Sequence, residues 1–500
     1  MDAVVALDAG TTGVRAIAFS ANGKPLGSAY QEFPQYFPQP GWVEHDATEI
    51  WDALLSVMSA LKQQLPDTNF TALGITVQRE TVVVWDRTTH SPLHRAIVWQ
   101  DRRTAERCEQ LESELSNVRK ISGLVLDPYF SGSKLEWIFS HTDLAPSENV
   151  AVGTIDSWIV WNLTKDNSDG AVHVTDTTNA SRTMLCDIRT GEWSDELCAM
   201  FSIPKHVLPR IVPSSGRVGT TSSTCPLGAG IPISGIAGDQ QASLFGQACF
   251  APGMAKNTYG TGSFALLTTG TVCPQPVDGL LTTVAWSLTK DGGIETTYAY
   301  EGAIFVTGAA VQWLRDGLEI IETSAQINEL AATVESSDGV VIVPAFTGLG
   351  SPWWDPYARG TILGITRGTT RAHLARATLE SIALQTADAI GAMSAASHLP
   401  LTSLRADGGG ASDLILQLQA DLLGVQVRKS SVAETTALGA AYLAGLAEGV
   451  WTSQKQIEEN WQFEKEFTPT TDEMRRALLD QLTTQWRRAI DRSMQWAQND

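Results

Sequence analysis

Cysteine is scarce. The chain holds six in 500 residues, Cys108, Cys186, Cys198, Cys225, Cys249 and Cys273, and no pair has CxxC spacing. That excludes a disulfide framework, a cysteine zinc site and a dithiol redox motif, and leaves six small hydrophobes in a reducing compartment. Charge is scarce too, at 18% of residues, and it is skewed: 35 Lys and Arg against 55 Asp and Glu give a net charge of -20. Such a field repels nucleic acid and acidic membranes, so no nucleic-acid partner is expected. No apolar run reaches the ~18 residues of a membrane span, and Met1-Asp2-Ala3-Val4-Val5 lacks the basic and apolar regions of a secretion signal. The expectation is a cytoplasmic protein with no membrane insertion. Missing as well are the G-x-x-x-x-G-K-[ST] loop of P-loop enzymes and the H-R-D and D-F-G set of protein kinases.

What is present is a long, 43% hydrophobic chain with a pattern that occurs twice. Val4 to Phe19 reads as a strand, a Gly-Thr turn at Gly10-Thr11-Thr12-Gly13, and a second strand, followed by another turn at Asn22-Gly23. Ala255 to Leu267 repeats strand, Gly260-Thr261-Gly262 turn and strand half a chain later. Each half continues with helix and strand signals: Glu49 to Leu65 and Arg371 to Ala396 have helical spacing, Leu73 to Val77 reads as a strand, and Asp472 to Gln498 reads as one amphipathic helix. The pattern predicts a duplicated α/β protein with its site in the cleft between halves 1–247 and 248–500, joined near Ala251-Pro252-Gly253.

Both turns suit phosphate. Glycine lets the backbone come close to an anion, successive N–H groups form a nest, threonine hydroxyls donate, and Arg15 adds charge. Asp8, at the strand end, suits Mg²⁺ held through water. Asp407-Gly408-Gly409-Gly410 before a helix at Leu414 suits a nucleoside with its phosphates. Gly260 to Ala265 also fits the dinucleotide pattern G-x-G-x-x-A, but that pattern must open a helix and Phe264 to Gly270 reads as a strand. Gly238-Asp239-Gln240-Gln241 offers an aspartate able to take a proton from a hydroxyl attacking phosphorus. Gln78-Arg79-Glu80-Thr81 sets a cation beside an anion, as recognition of vicinal hydroxyls needs; a surface ion pair is the plain alternative. The histidines show no metal-ligand spacing.

Six motifs in order resemble the glycerol kinases, within the FGGY carbohydrate kinases of the actin/Hsp70/sugar-kinase superfamily. They are Asp8-Ala9-Gly10-Thr11-Thr12, Gln78-Arg79-Glu80-Thr81, Trp99-Gln100-Asp101-Arg102-Arg103, Asp127-Pro128-Tyr129-Phe130-Ser131-Gly132, Gly238 to Gln241 and Asn257 to Gly262, with Thr435-Thr436-Ala437-Leu438-Gly439-Ala440-Ala441 behind them. The resemblance implies two RNase H-like domains flanking a nucleotide cleft that closes by a hinge, and a homodimer or homotetramer. It implies ATP and Mg²⁺ as cofactors, glycerol as substrate and sn-glycerol 3-phosphate as product. Carried over, Arg79, Glu80, Tyr129, Asp239 and Gln240 would bind the polyol hydroxyls, Trp99 and Phe264 would flank its carbons, and Asp239 would be the general base. Thr11, Thr12, Gly13, Arg15 and Thr261 would hold the phosphates, Asp8 would serve Mg²⁺, and Gly308, Gln312, Gly409 and Asp413 would lie near the nucleoside.

Three positions depart from that pattern: Ala9 for a glutamine, Gly13 for a serine hydroxyl, and Asp413 for an asparagine. The loop Ser223 to Gly230 also lacks the cations and histidine through which such enzymes are regulated. A kinase of another polyol or ketopentose, and an actin-like ATPase switch, are the competing readings; a nicotinamide dehydrogenase would rest on the glycine pattern alone.

Overall fold

The protein is described by a computed structural model covering residues 1–290 and 292–498. Asp291, Asn499 and Asp500, which fall inside the expected second half, lie outside the described residues. Thirteen strands form one sheet. In chain order they are β1 (Asp2–Ala9), β2 (Gly13–Phe19), β3 (Pro25–Glu32), β4 (Asn69–Val77), β5 (Ser215–Thr220), β6 (Pro232–Gly238), β7 (Met254–Tyr259), β8 (Ser263–Gly270), β9 (Leu281–Lys290), β10 (Gly293–Ile304), β11 (Ser403–Asp407), β12 (Val427–Ser430) and β13 (Phe463–Phe467). Their spatial order is β13-β12-β11-β7-β8-β10-β9-β5-β6-β4-β1-β2-β3.

The order exposes the duplication. In the first half β3-β2-β1 are antiparallel and β1-β4-β6 are parallel. In the second half β10-β8-β7 are antiparallel and β7-β11-β12 are parallel. The same five-strand unit therefore occurs twice, each time opened by the Gly-Thr hairpin. β1 and β4 are buried almost throughout, as parallel central strands covered on both faces must be.

Helices pack on the strands and on one another: α1 (Ala47–Gln64), α2 (Ser131–His141), α3 (Asp239–Gly246), α4 (Gly308–Asp316), α5 (Arg371–Ser397), α6 (Asp413–Leu423), α7 (Thr435–Ala447) and α8 (Glu473–Ser493). Asp46 caps α1 through Thr48 N, as Ser412 caps α6 through Ile415 N. Two helices are exchanged between halves. α3 follows β6 of the first half yet packs on β7, β8 and β9, while α7 follows β12 of the second half yet packs on β1, β4 and β6. They meet each other at glycines: a Cβ on Gly439 would stand 1.8 Å from the Ala242 carbonyl, and one on Gly246 would stand 2.0 Å from the Thr435 carbonyl. This crossing joins the halves beneath the cleft.

The expected hairpins, α1 and α5 are where the sequence puts them. The last helix is shorter than expected, ending at Ser493 rather than Gln498, because Gln495 turns at φ 56° and its N–H goes to the Asp355 carboxylate. Leu478, expected on its apolar face, is 60% exposed; Trp486 and Ile490 carry the docking.

Candidate active site

β4 ends at Val77, and the chain then turns through Gln78-Arg79-Glu80 into the cleft. Glu80 takes φ 62°, a left-handed conformation unusual for a residue with a side chain, and Thr81 N bonds to Arg79 O across the turn. The turn buries both charges. Arg79 donates to Glu301 at 2.5 and 3.0 Å, to Gln241 Oε1 at 3.2 Å and to Tyr129 Oη at 3.3 Å, and its Nε lies 3.2 Å from Asp239 Oδ1. Arg182 bridges Glu80 at 2.7 Å and Glu301 at 3.2 Å. The surface-pair alternative for Arg79 and Glu80 is thereby removed.

Burial works against the Arg79 charge, but Glu301 and Glu80 overcome it and hold the guanidinium more firmly protonated than usual. Burial likewise lifts the Glu80 carboxyl despite Arg79 and Arg182. Glu301 behaves oppositely: burial is outweighed by Arg182 and Arg79 together, and its carboxyl falls to about 2. It is a fixed anion that presents Arg79 to the cleft.

Asp239 is the first residue of α3, with 32% of its side chain exposed. Gln240 is mostly buried, its N–H bonding Asp239 Oδ1 at 2.7 Å. The Trp99 ring meets that of Tyr129 edge-on at 5.5 Å, and its Nε1 donates to Thr11 Oγ1 at 3.0 Å. The Arg79 guanidinium lies 5.9 Å from the Phe264 ring centre. Lys134 holds the Tyr129 loop by donating to the carbonyls of Pro128, Tyr129 and Phe130. Arg79, Glu80, Trp99, Tyr129, Asp239, Gln240, Phe264 and Thr11 thus form one connected cluster.

The phosphate-turn candidates are split between the halves. In the first turn Gly10 N bonds Gly13 O, closing it tightly, while Thr12 stays exposed. A Cβ on Gly13 would stand 2.7 Å from both Gln31 O and Tyr30 Oη, so Tyr30 occupies the room a serine there would need. Arg15 lies under the Tyr30 ring and pairs with Glu434. In the second half, Thr307, Gly308 and Ala309 dock their N–H groups on the carbonyls of Gly260 and Thr261, so α4 starts against the second turn. Gly408 and Gly410 crowd the backbone of Tyr259, while a Cβ on Gly409 would meet nothing. Gln312 is exposed one turn along α4 from Gly308. Asp413 pairs with Lys465 at 2.6 Å, both more than half exposed. The start of α7 links the two sets, with Glu434 reaching Arg15 and Thr435 reaching Asp407 at 2.5 Å.

Asp8 pairs in register with Arg15 and keeps some solvent contact. Burial, with Asp239 and Glu434 adding and Arg15 opposing, pushes its carboxyl up to about 7. Among the described residues no three His, Cys, Asp or Glu side chains are placed to cage an ion. Asp8 nevertheless fits Mg²⁺, which takes one or two carboxylates beside phosphate oxygens and water. Among the described residues, no helix is long and apolar enough to cross a membrane. The cysteines are free, and all but Cys273 are buried.

The sequence reading missed Glu301, Arg182, Gln241 and Lys256. Each charged one sits in an otherwise buried stretch, which is the available signal, since a buried charge needs partners. Which partners, 222 residues away for Arg79 and Glu301 and 102 for Arg182 and Glu80, only the fold supplies.

The FGGY family of carbohydrate kinases matches twice, its N-terminal domain over residues 3–246 and its C-terminal domain over 255–448. The glycerol kinase of Trichlorobacter lovleyi is 54% identical over 507 aligned residues, covering 100% of both chains. That of Bordetella parapertussis is 52% identical, covering 99% of this chain and 97% of its own. Among solved structures, a Plasmodium falciparum glycerol kinase with ADP superposes with TM-score 0.92 at 33% identity, covering 99% and 98% of the two chains. A ligand-bound xylulose kinase from Lactobacillus acidophilus, 23% identical with TM-score 0.85 over 99% of each chain, shares the fold. A duplicated five-strand unit, a polar cluster in the cleft and these matches along nearly the whole length place the chain in the FGGY family of carbohydrate kinases.

Proposed function

We propose that this protein transfers the γ-phosphoryl group of ATP to glycerol, giving ADP and sn-glycerol 3-phosphate. The observation that carries the reading is the buried Arg79, shared by Glu301, Tyr129 and Asp239 at the mouth of α3. Glycerol is small and neutral, so its affinity must come from paired hydrogen bonds and an apolar wall. Arg79 and Glu80 offer a donor and an acceptor side by side, Gln240 adds a further group, and Trp99, Tyr129 and Phe264 form the wall. The full-length identity to glycerol kinases supports glycerol over the larger sugars.

Asp239 takes the proton of the attacking hydroxyl as its oxygen bonds phosphorus and the bond to ADP breaks. Arg79 holds Asp239 in place, its Nε 3.2 Å from Asp239 Oδ1. Thr11, Thr12, Gly13 and Arg15 from residues 1–247, and Thr261 from residues 248–500, hold the phosphates between the two turns. Gly308, Gln312, Gly409 and Asp413 line the nucleoside end. Asp8 would hold Mg²⁺, which when bound would offset the charge of the phosphates. Water is the rival acceptor, so the halves close over the substrates before transfer.

The test is ADP release by the purified protein with Mg²⁺ and ATP, alone and with glycerol, xylulose or erythritol. Stimulation by glycerol above the others is expected. Stimulation by a ketopentose alone would change the substrate and keep the fold. No stimulation by any would favour the ATPase switch.

A further inference from the structure

Lys256 lies in the middle of β7, between Leu266 of β8 and Arg405 of β11, and is fully buried. Its hydrogen bonds go to neutral groups, Gln240 Oε1 at 2.5 Å and Thr258 Oγ1 at 3.0 Å. An ammonium has three protons to give and no lone pair to receive one. The Gln240 atom it touches is therefore the carbonyl oxygen. Turning the carboxamide over would set donor against donor in a dry site and leave both groups unmet. The amide nitrogen is the carboxamide atom that Lys256 does not hold, on the residue that follows Asp239 at the start of α3.

We propose that Lys256 is a positioning residue that locks the Gln240 carboxamide with its nitrogen toward the cleft, so that position accepts only a substrate atom able to receive a hydrogen bond. This rests on the polyol-kinase reading above and deepens it. Asp239 accepts from the substrate while Gln240 donates to it, and a hydroxyl can answer both where an ammonium answers only the first.

The lock is tied into the fold. Thr258 Oγ1 lies 3.3 Å from Ser243 Oγ, and Ser243 donates to Asp407 at 3.2 Å. Asp407 also accepts from Gln247 at 2.7 Å and from Thr435. The chain of contacts runs from Gln240 through β7 and α3 to the Gly408–Gly410 turn. Burial lowers the Lys256 ammonium to about 8, opposed by Asp407, Asp239 and Glu301 and assisted by Arg79, the charged groups that face it. Above that pH the amine gains a lone pair, can accept from the Gln240 nitrogen, and no longer forbids the flip.

Steady-state kinetics from about pH 6.5 to about pH 9.5, varying glycerol and ATP in turn, test this. In the wild type, glycerol KM should rise above about pH 8 while ATP KM stays within about twofold. Gln240→Glu keeps an oxygen for Lys256 and removes the donor, so glycerol KM should rise about tenfold or more at every pH, the equivalent of one lost hydrogen bond. Lys256→Arg, which stays charged, should flatten the alkaline rise; Lys256→Met should raise glycerol KM at neutral pH. Should the Lys256 variants not fold, Gln240→Glu decides alone: a glycerol KM equal to or below wild type would mean the oxygen faces the substrate, and the proposal falls. A purely structural Lys256 would instead shift both KM values and kcat together. Wild-type protein without any glycerol-stimulated ADP release would fail the kinase reading first, a result distinct from these.

Discussion

Arg79, Arg182, Glu80 and Glu301 balance one another in a space almost without water. Removing one charge leaves the others uncompensated. Glu301→Gln keeps the shape and removes the anion shared by both arginines, so it should destabilise the protein by roughly 3–5 kcal/mol, read as a lower urea midpoint. Asp239 differs because it is partly exposed and holds α3 through nothing beyond its first turn. Asp239→Asn should therefore fold normally, bind glycerol and ATP, and lose about two to four decades of kcat, as for a removed general base. Near-normal turnover in that variant would remove Asp239 from the proton transfer. The Arg79-Glu80 and Asp239-Gln240 pairs were legible because their types and spacing suit polyol and phosphate chemistry. Glu301 was not, because its buried strand signals that the charge needs partners but not which, and Arg79 and Arg182 come from distant parts of the chain.

At the scale of elements, the informative contact is the docking of α8 on α5. Trp486 Nε1 donates to Asp388 Oδ2 at 2.5 Å in a mostly buried site. Burial lifts the Asp388 carboxyl to about 6, with the Trp486 bond and Arg487 opposing. A folded-state value above the unfolded 3.8 means that the folded protein holds the proton more tightly. The group's contribution is full below about pH 4 and is lost as pH rises through about 6. At neutral pH α8 is docked over an ionised, half-desolvated carboxylate. Asp388→Asn keeps an oxygen for Trp486 and should gain up to roughly 3 kcal/mol at pH 7, a gain that vanishes near pH 4. Thermal melts of both proteins across that range would show it, and equal melting at neutral pH would count against the buried charge. The existence of α8 could be read from its period of four, but its end could not, since Gln495 and Asp355 are set against each other by tertiary packing.

The whole molecule is two copies of one unit that trade a helix, and the trade decides how the halves can move. α3 and α7 cross at Gly439 and Gly246 with backbones in contact, so the halves are joined at this crossing. Their N-termini deliver Asp239 to one side and Glu434 and Thr435 to the other. Under the proposed function, closure would be a rotation about this crossing, and the Arg15–Glu434 pair would give way as phosphate takes Arg15. Gly439→Ala puts a methyl group into the Ala242 carbonyl. It should cost about 1–3 kcal/mol or more through displaced helices and lower kcat alongside. A denaturant midpoint shift with unchanged slope, together with slower turnover, is the expected pair; unchanged values would place the pivot elsewhere.

The sequence alone determined the duplicated hairpins and the α/β class, and supplied the residue types from which a phosphate turn and a polyol clamp are expected. These follow from local causes: period-two burial, glycine in tight turns, and side-chain donors at fixed spacing. Only the tertiary structure decided that α3 and α7 are exchanged, that Tyr30 fills the space above Gly13, that Glu301 and Arg182 complete the Arg79 cluster, and that Lys256 meets the Gln240 oxygen. Each joins residues far apart in the chain, and a charge or a glycine carries no mark of a partner that folding brings to it.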